Sequence, residues 1–276
     1  MSVKASQWSD LPRRLATISI GVPILWIIWS SDEWRVLFFY GTHLAMCWEW
    51  LNLSGCHWSF LLLSLGLSLV ADEFFVAAFT STIALLSIMT AAMPLSQTKA
   101  EAFTTGLIFI CLPFRSWNNL AESSFRDTVS LLLTVWNCDT GALVVGRLTK
   151  SAGWQVSPLW LQRISPSKSV GGLVGGLLFG AMTFWSLPWF WQLMENLQWT
   201  TIAVSLPVES QSSLMRLQTG ALLSLAAILG DSWESTIKRR YGVKDSGKLL
   251  PGHGGVLDRF DSSLIAVMIF PLLLGR

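Results

Sequence analysis

Charge is scarce in this chain. Of its 276 residues only 13% are Asp, Glu, Lys or Arg, where a soluble globular protein carries roughly 25%. So few charges cannot cover a water-facing surface, which excludes ordinary soluble, disordered and fibrous proteins. Also missing is any CxxC pair. Cys47, Cys56, Cys111 and Cys138 stand 9, 55 and 27 positions apart, a pattern that argues against a disulfide framework and predicts four free thiols. The first apolar run, Ile18 to Trp29, lacks a small-residue cleavage site and reads as a retained span rather than a signal peptide. No repeat of fixed period is present. The net charge of +2 is too small to call for a nucleic-acid partner.

What the chain has in abundance is apolar sequence. Hydrophobic residues make up 52% of it and sixteen are tryptophans, whose indole rings favour membrane interfaces. The mean hydropathy is +0.51. Continuous apolar runs at 15–30, 36–53, 58–70, 74–93, 102–114, 128–146, 170–193, 214–232 and 262–275 predict membrane helices. Transmembrane barrels require alternating segments, which these are not. The expectation is therefore an all-α, polytopic transmembrane helical bundle of about nine spans, or eight because the third and fifth runs are short.

With the N-terminus placed in the cytoplasm, fourteen of the nineteen Lys and Arg residues fall inside and four outside, with Arg216 at the start of a span. That asymmetry supports the count and a cytoplasmic N-terminus. It also divides the chain. Residues 1–127 read as N-terminal helices, peripheral or lipid-facing. Residues 128–276 read as the catalytic part, with cytoplasmic loops 147–169 and 233–261. The stretch Gly171-Gly172-Leu173-Val174-Gly175-Gly176 pairs glycines four apart, a pattern for close helix packing in lipid.

The remaining charge is concentrated as well as scarce. Residues 231–261 hold eleven of the 36 charged residues. On a continuing helix Asp231, Ser235 and Lys238 share one stripe, which joins a carboxylate, a hydroxyl and an ammonium. Pro251-Gly252-His253-Gly254-Gly255 reads as a tight loop that could bring N–H groups close to a phosphate. Asp258 and Asp261 stand three apart, on one face if helical. Acids suited to Mg²⁺, bases for phosphates and glycines for close approach make up the inventory of phosphoryl or nucleotidyl transfer. His43, His57 and Glu49 read as packing or interface positions, Glu49 near the cytoplasmic end of its span.

The segment resembles the signature of the phosphatidate cytidylyltransferases, the CDP-diacylglycerol synthases. Seventeen specified positions match over 27 residues, from Ser235, Ile237, Lys238 and Arg239 through Lys244, Asp245, Gly247, Leu250, Pro251, His253, Gly254, Gly255 and Val256 to Asp258, Arg259, Phe260 and Asp261. Upstream, Asp139-Thr140-Gly141-Ala142 is similar to that family's D-T-x-A stretch, with Leu143 where Tyr is usual. Ser165-Pro166-Ser167-Lys168-Ser169 is similar to its S-P-x-K-[ST] element, with Gly171 where an acid or amide is usual.

The resemblance implies a Mg²⁺-dependent reaction of CTP with phosphatidate, giving CDP-diacylglycerol and pyrophosphate, with a second cation compatible and homodimers common. It implies metal coordination by Asp231 and Asp258, then Asp261 and Asp245. It implies neutralisation of phosphates by Lys238, Arg239, Lys244 and Arg259, and substrate contacts from Ser235, His253, Gly254, Gly255, Asp139, Ser165, Lys168 and Ser169. The implied setting is a bacterial inner membrane or an organelle membrane, with the site on the cytoplasmic side. CDP-alcohol phosphotransferases fit less well. Their D-G-x2-A-R element is absent, and Asp261 arrives one residue early for their G-x3-D-x3-D. A transporter would place its broken or charged helices near the midplane, and here only Asp139 lies there.

Overall fold

The computed structural model describes residues 26–28, 30–70, 99–154, 156–165, 168–198, 211–249 and 254–275. All regular elements among them are helical: α1 (Asp32–Ser54), α2 (Ser59–Val70), α3 (Lys99–Gly106), a π-helical turn (Leu107–Cys111), α4 (Leu112–Ser123), α5 (Phe125–Ser151), α6 (Leu159–Ile164), α7 (Val170–Asn196), α8 (Ser213–Arg240) and α9 (Leu257–Leu273). Helices α5, α7 and α8, of 27, 27 and 28 residues, are long and apolar enough to cross a membrane. The expected spans at 15–30 and 74–93 lie largely or wholly outside the described residues.

Local chemistry sets the helix ends. Ser124, Ser169 and Ser212 are extended and accept the N–H of Asp127, Gly172 and Met215 at the starts of α5, α7 and α8, which satisfies donors that a helix leaves unpaired. Gly55 closes α1 in the left-handed conformation, φ 62°, where a side chain would be strained. Pro113 accounts for the π-helical turn. It has no N–H and its ring crowds the carbonyl four residues back, and the ladder adjusts so that the Leu112 N–H reaches Leu107 O.

Two helices extend beyond the apolar runs. α5 continues to Ser151 and α8 to Arg240, so Arg147, Lys150 and Lys238 are helical rather than in loops. Cations are favoured on the last turn by the helix dipole, and long side chains carry their charge back to water. Residues 99–123 form one nearly continuous helical segment where a short span at 102–114 is expected.

The glycine stripe brings α5 and α7 into close contact. A Cβ on Gly172 would lie 3.0 Å from Ala142 O, one on Gly175 2.6 Å from Gly141 O and one on Gly176 3.1 Å from Cys138 O. Backbone against backbone of this kind maximises dispersion contact in lipid, where no hydrophobic drive operates. Gly230 of α8 meets the Asp261 carbonyl of α9 in the same way. On the other side of α9, Phe260 packs against Phe39, Phe114 and Trp117 at ring separations of 6.2, 6.2 and 6.0 Å. The N-terminal helices therefore hold the start of α9, and the polar ends of α1, α5, α7, α8 and α9 come together.

Candidate active site

Helices α5, α7 and α8 enclose a cavity of about 490 Å³. It is lined by the polar residues Asp139, Arg147, Lys150, Lys168, Ser169 and Asp231 and by apolar ones that include Leu143, Leu173 and Ile228. Asp231 pairs with Lys168 Nζ at 2.9 Å and accepts from the Ser235 hydroxyl at 3.3 Å. Lys168 also donates to Ser232 Oγ at 3.0 Å. The Ser262 hydroxyl bridges Asp139, whose oxygens lie 3.1 and 3.2 Å away, and Asp261 Oδ1 at 3.2 Å.

Asp139, Asp231 and Asp261 thus come from three helices and lie close enough to repel one another. The ammonium paired with this group is that of Lys168. Lys238 also acts on Asp261, and oxygen donors of this kind are the type a divalent cation takes, although among the described residues only His43, Cys47 and Cys111 bring three ligand-type atoms within 4.8 Å of one another. Those three are buried in the N-terminal bundle. There the Ser64 hydroxyl already meets His43 Nε2 at 2.8 Å and Cys47 Sγ at 3.1 Å. All four cysteines are free thiols.

A second polar layer adjoins the first. Lys238 pairs with Glu234 and with Asp258 Oδ1, the latter at 2.6 Å. Helix α8 continues through Asp231, Ser235 and Lys238 as expected, and the buried Lys238 ammonium takes its i−4 neighbour Glu234. Asp258 further accepts the N–H of Ser246 at 2.9 Å and of Gly255 at 2.8 Å. Burial pushes the Asp258 carboxyl up, but Lys238 and these N–H groups together hold it below its ordinary value. Asp258 is the anchor of the loop that joins α8 to α9.

The other expected residues are spread around these layers. Arg239, Lys244, Asp245 and Arg259 are exposed, and Arg239 donates to Val243 O at 3.1 Å. Ser169 caps α7. Ser165 is buried and its carbonyl accepts the Lys168 N–H at 3.1 Å. Gly254 adopts φ 82°, which favours glycine. His253 lies outside the described residues.

Sequence reasoning read Glu49 as a packing or interface position and did not name it as a site residue. This α1 carboxylate is buried and accepts from Val256 N at 2.9 Å, Leu257 N at 2.9 Å and Ser246 Oγ at 3.2 Å. The available signal was an acid within an apolar run, a costly placement that marks a role. Glu234, Arg147 and Lys150 were likewise not named as site residues, although the last two stand three apart on the final turns of α5. His57 is exposed, and His43 is buried and stacks on Phe114 at 4.6 Å.

Comparison with known proteins gives a consistent result. The model of the cytidylyltransferase family matches residues 12–275. A phosphatidate cytidylyltransferase of Staphylococcus epidermidis is 34% identical over 167 residues, 60% of this chain and 55% of that protein. Proteins of the same name from Staphylococcus haemolyticus and Staphylococcus aureus are 38% identical over 143 residues, 51% of this chain and 46% of theirs. The chain spans about half the length of the curated relatives it matches.

Proposed function

The chain belongs to the cytidylyltransferase family, and from that premise we propose that it joins CTP to phosphatidate, forming CDP-diacylglycerol and pyrophosphate. A phosphatidate oxygen attacks the α-phosphorus of CTP, and the bond from that phosphorus to the bridging oxygen of the β-phosphate breaks. The observation that carries the reading is the cavity. Its lining combines acids, bases and apolar side chains, the mixture required by a substrate with a charged headgroup and hydrocarbon tails. Leu143, Val174 and Leu178 are exposed on the surrounding helices, as suits contact with lipid.

Asp139, Asp231 and Asp261 would hold a divalent cation, taken here as Mg²⁺ from the all-oxygen donor set. When bound, it supplies charge neutralisation at the phosphates. The chain's own bases share that task. Lys168, Arg147 and Lys150 face the cavity and would bind phosphate oxygens, Arg147 with bidentate geometry and the lysines as point charges. Lys168 also orients Asp231. No protein group need remove a proton, because the attacking phosphate is already ionised. Asp258 fixes the α8–α9 loop, which carries the exposed Lys244.

The charge asymmetry supports nine spans, a cytoplasmic N-terminus and a cytoplasmic site, and we place the chain in a bacterial inner membrane or an organelle membrane. The test is the full chain in detergent with CTP, phosphatidate and Mg²⁺. Pyrophosphate should form in step with CDP-diacylglycerol, and chelation should stop both. Release of CMP from a CDP-lipid, with no consumption of CTP, would assign a different transferase.

A further inference from the structure

Glu49 poses a physical problem that its surroundings solve in an unusual way. It sits on α1, about two hundred positions from its partners, and its side chain is buried. An ionised carboxylate there is costly unless several donors meet it. Among the described residues no Lys or Arg forms an ion pair with it. Its donors are the first N–H groups of α9, those of Val256 and Leu257, and the Ser246 hydroxyl. α9 has no side-chain cap of its own, so Glu49 supplies one from across the fold.

The same carboxylate accounts for two glycines. A Cβ on Gly247 would stand 2.5 Å from Glu49 Oε1, and one on Gly255 would overlap Glu49 Oε2 and Ser246 Oγ. Gly254 takes a positive φ, whereas Gly247 and Gly255 do not, so backbone conformation gives no reason for glycine at these two positions. Space for the carboxylate does. Ser246 is held from both sides, its N–H on Asp258 and its hydroxyl on Glu49. Asp258, Arg259 and Asp261 all lie on the first turns of the helix so capped.

We propose that Glu49 is a positioning residue for cytidylyl transfer, clasping the α8–α9 loop and the start of α9, and that Gly247 and Gly255 are glycines to admit its carboxylate rather than a phosphate. The N-terminal helices thereby contribute to catalysis without touching substrate. The inference rests on the activity proposed above, and its test has one arm that does not.

Hydrogen exchange of the peptide containing Val256 and Leu257, followed by mass spectrometry in the full chain, reads the clasp directly. Glu49→Gln and Glu49→Ala should each speed that exchange, the alanine by at least about tenfold, as befits loss of charge-assisted bonds. In the transfer assay both should lower kcat by about tenfold or more while the KM for CTP changes less than about threefold, since Lys168, Arg147 and Lys150 are untouched. Gly255→Ala should cost about tenfold in the wild-type chain and less than about threefold in the Glu49→Ala background, the non-additivity of groups in contact.

Glu49→Gln keeps the shape of the side chain, so its exchange and kcat decide the matter should Glu49→Ala fold poorly. Unchanged exchange in Glu49→Gln, or an equal Gly255→Ala cost in both backgrounds, would overturn the proposal. Absence of transfer by the wild-type chain would instead overturn the activity and leave exchange to decide the clasp.

Discussion

Replacing Asp258 by Asn tests whether this acid anchors the loop or binds metal. Its carboxylate takes Lys238 Nζ at 2.6 Å and the N–H groups of Ser246 and Gly255 at 2.9 and 2.8 Å. Asn keeps one acceptor oxygen and turns an amide N–H₂ towards a donor. Removing one partner of a buried charge pair costs about 3–5 kcal/mol, and Lys238 retains Glu234, so the lower end, about 3 kcal/mol, is expected. Against a typical stability of about 5–15 kcal/mol the chain should still fold. At about 2–4 °C per kcal/mol its melting temperature in detergent should fall by about 6–12 °C. Turnover should fall at least about tenfold through the displaced loop, with the Mg²⁺ concentration for half-maximal activity unchanged. A variant that melts like the wild type but needs about tenfold more Mg²⁺ would refute this reasoning and make Asp258 a metal ligand.

Asp231→Asn should show the opposite pattern: a Mg²⁺ requirement raised about tenfold or more with little change in melting, because one carboxylate leaves a cation site. An unchanged requirement would remove Asp231 from that site. The Asp258 carboxyl is held below its ordinary value of 3.8. Its contribution to stability is therefore present above pH 3.8 and lost as pH falls through the lower folded value. The melting temperature should accordingly drop more steeply on acidification below about pH 4 in the wild type than in Asp258→Asn, and parallel curves would contradict the assignment. Gly175→Leu should sharply reduce the yield of folded protein on size-exclusion chromatography, since even a Cβ would lie 2.6 Å from Gly141 O and helix packing in lipid depends on such small residues.

How much of this was legible depended on the range of each interaction. α5, α7 and α8 followed from long apolar runs, and the glycine stripe foretold close packing of α7 without naming α5 as its partner, because both are local patterns. The end of α5 did not follow, and that of α8 followed only from reading Asp231 to Lys238 as a continuing helix, since basic residues that read as loop extend a helix at its favourable pole. The Arg115-to-Asn119 stretch similarly concealed that the segment from Lys99 continues to Ser123. Within the site, Asp231 and Ser235 were placed together by helical spacing. The partnership of Lys238 with Asp258, across 20 residues, and of Glu49 with Val256, across 207, depends on how helices pack. No spacing rule encodes that. The glycines of the signature were legible as close approaches, but the structure shows carboxylates as what approaches them, Glu49 at Gly255 and Asp258 at Gly254.

The most direct test of the account follows the two ends of the nucleotide. The full chain is given phosphatidate, Mg²⁺ and CTP labelled at either the α- or the γ-phosphate, and label is counted in the lipid and aqueous phases. The account predicts α-label in the lipid and γ-label in aqueous pyrophosphate in equal amounts, with both diminished in Asp231→Asn at a Mg²⁺ concentration that just saturates the wild type. Label from the γ-phosphate in the lipid, or transfer undiminished in Asp231→Asn, would contradict it.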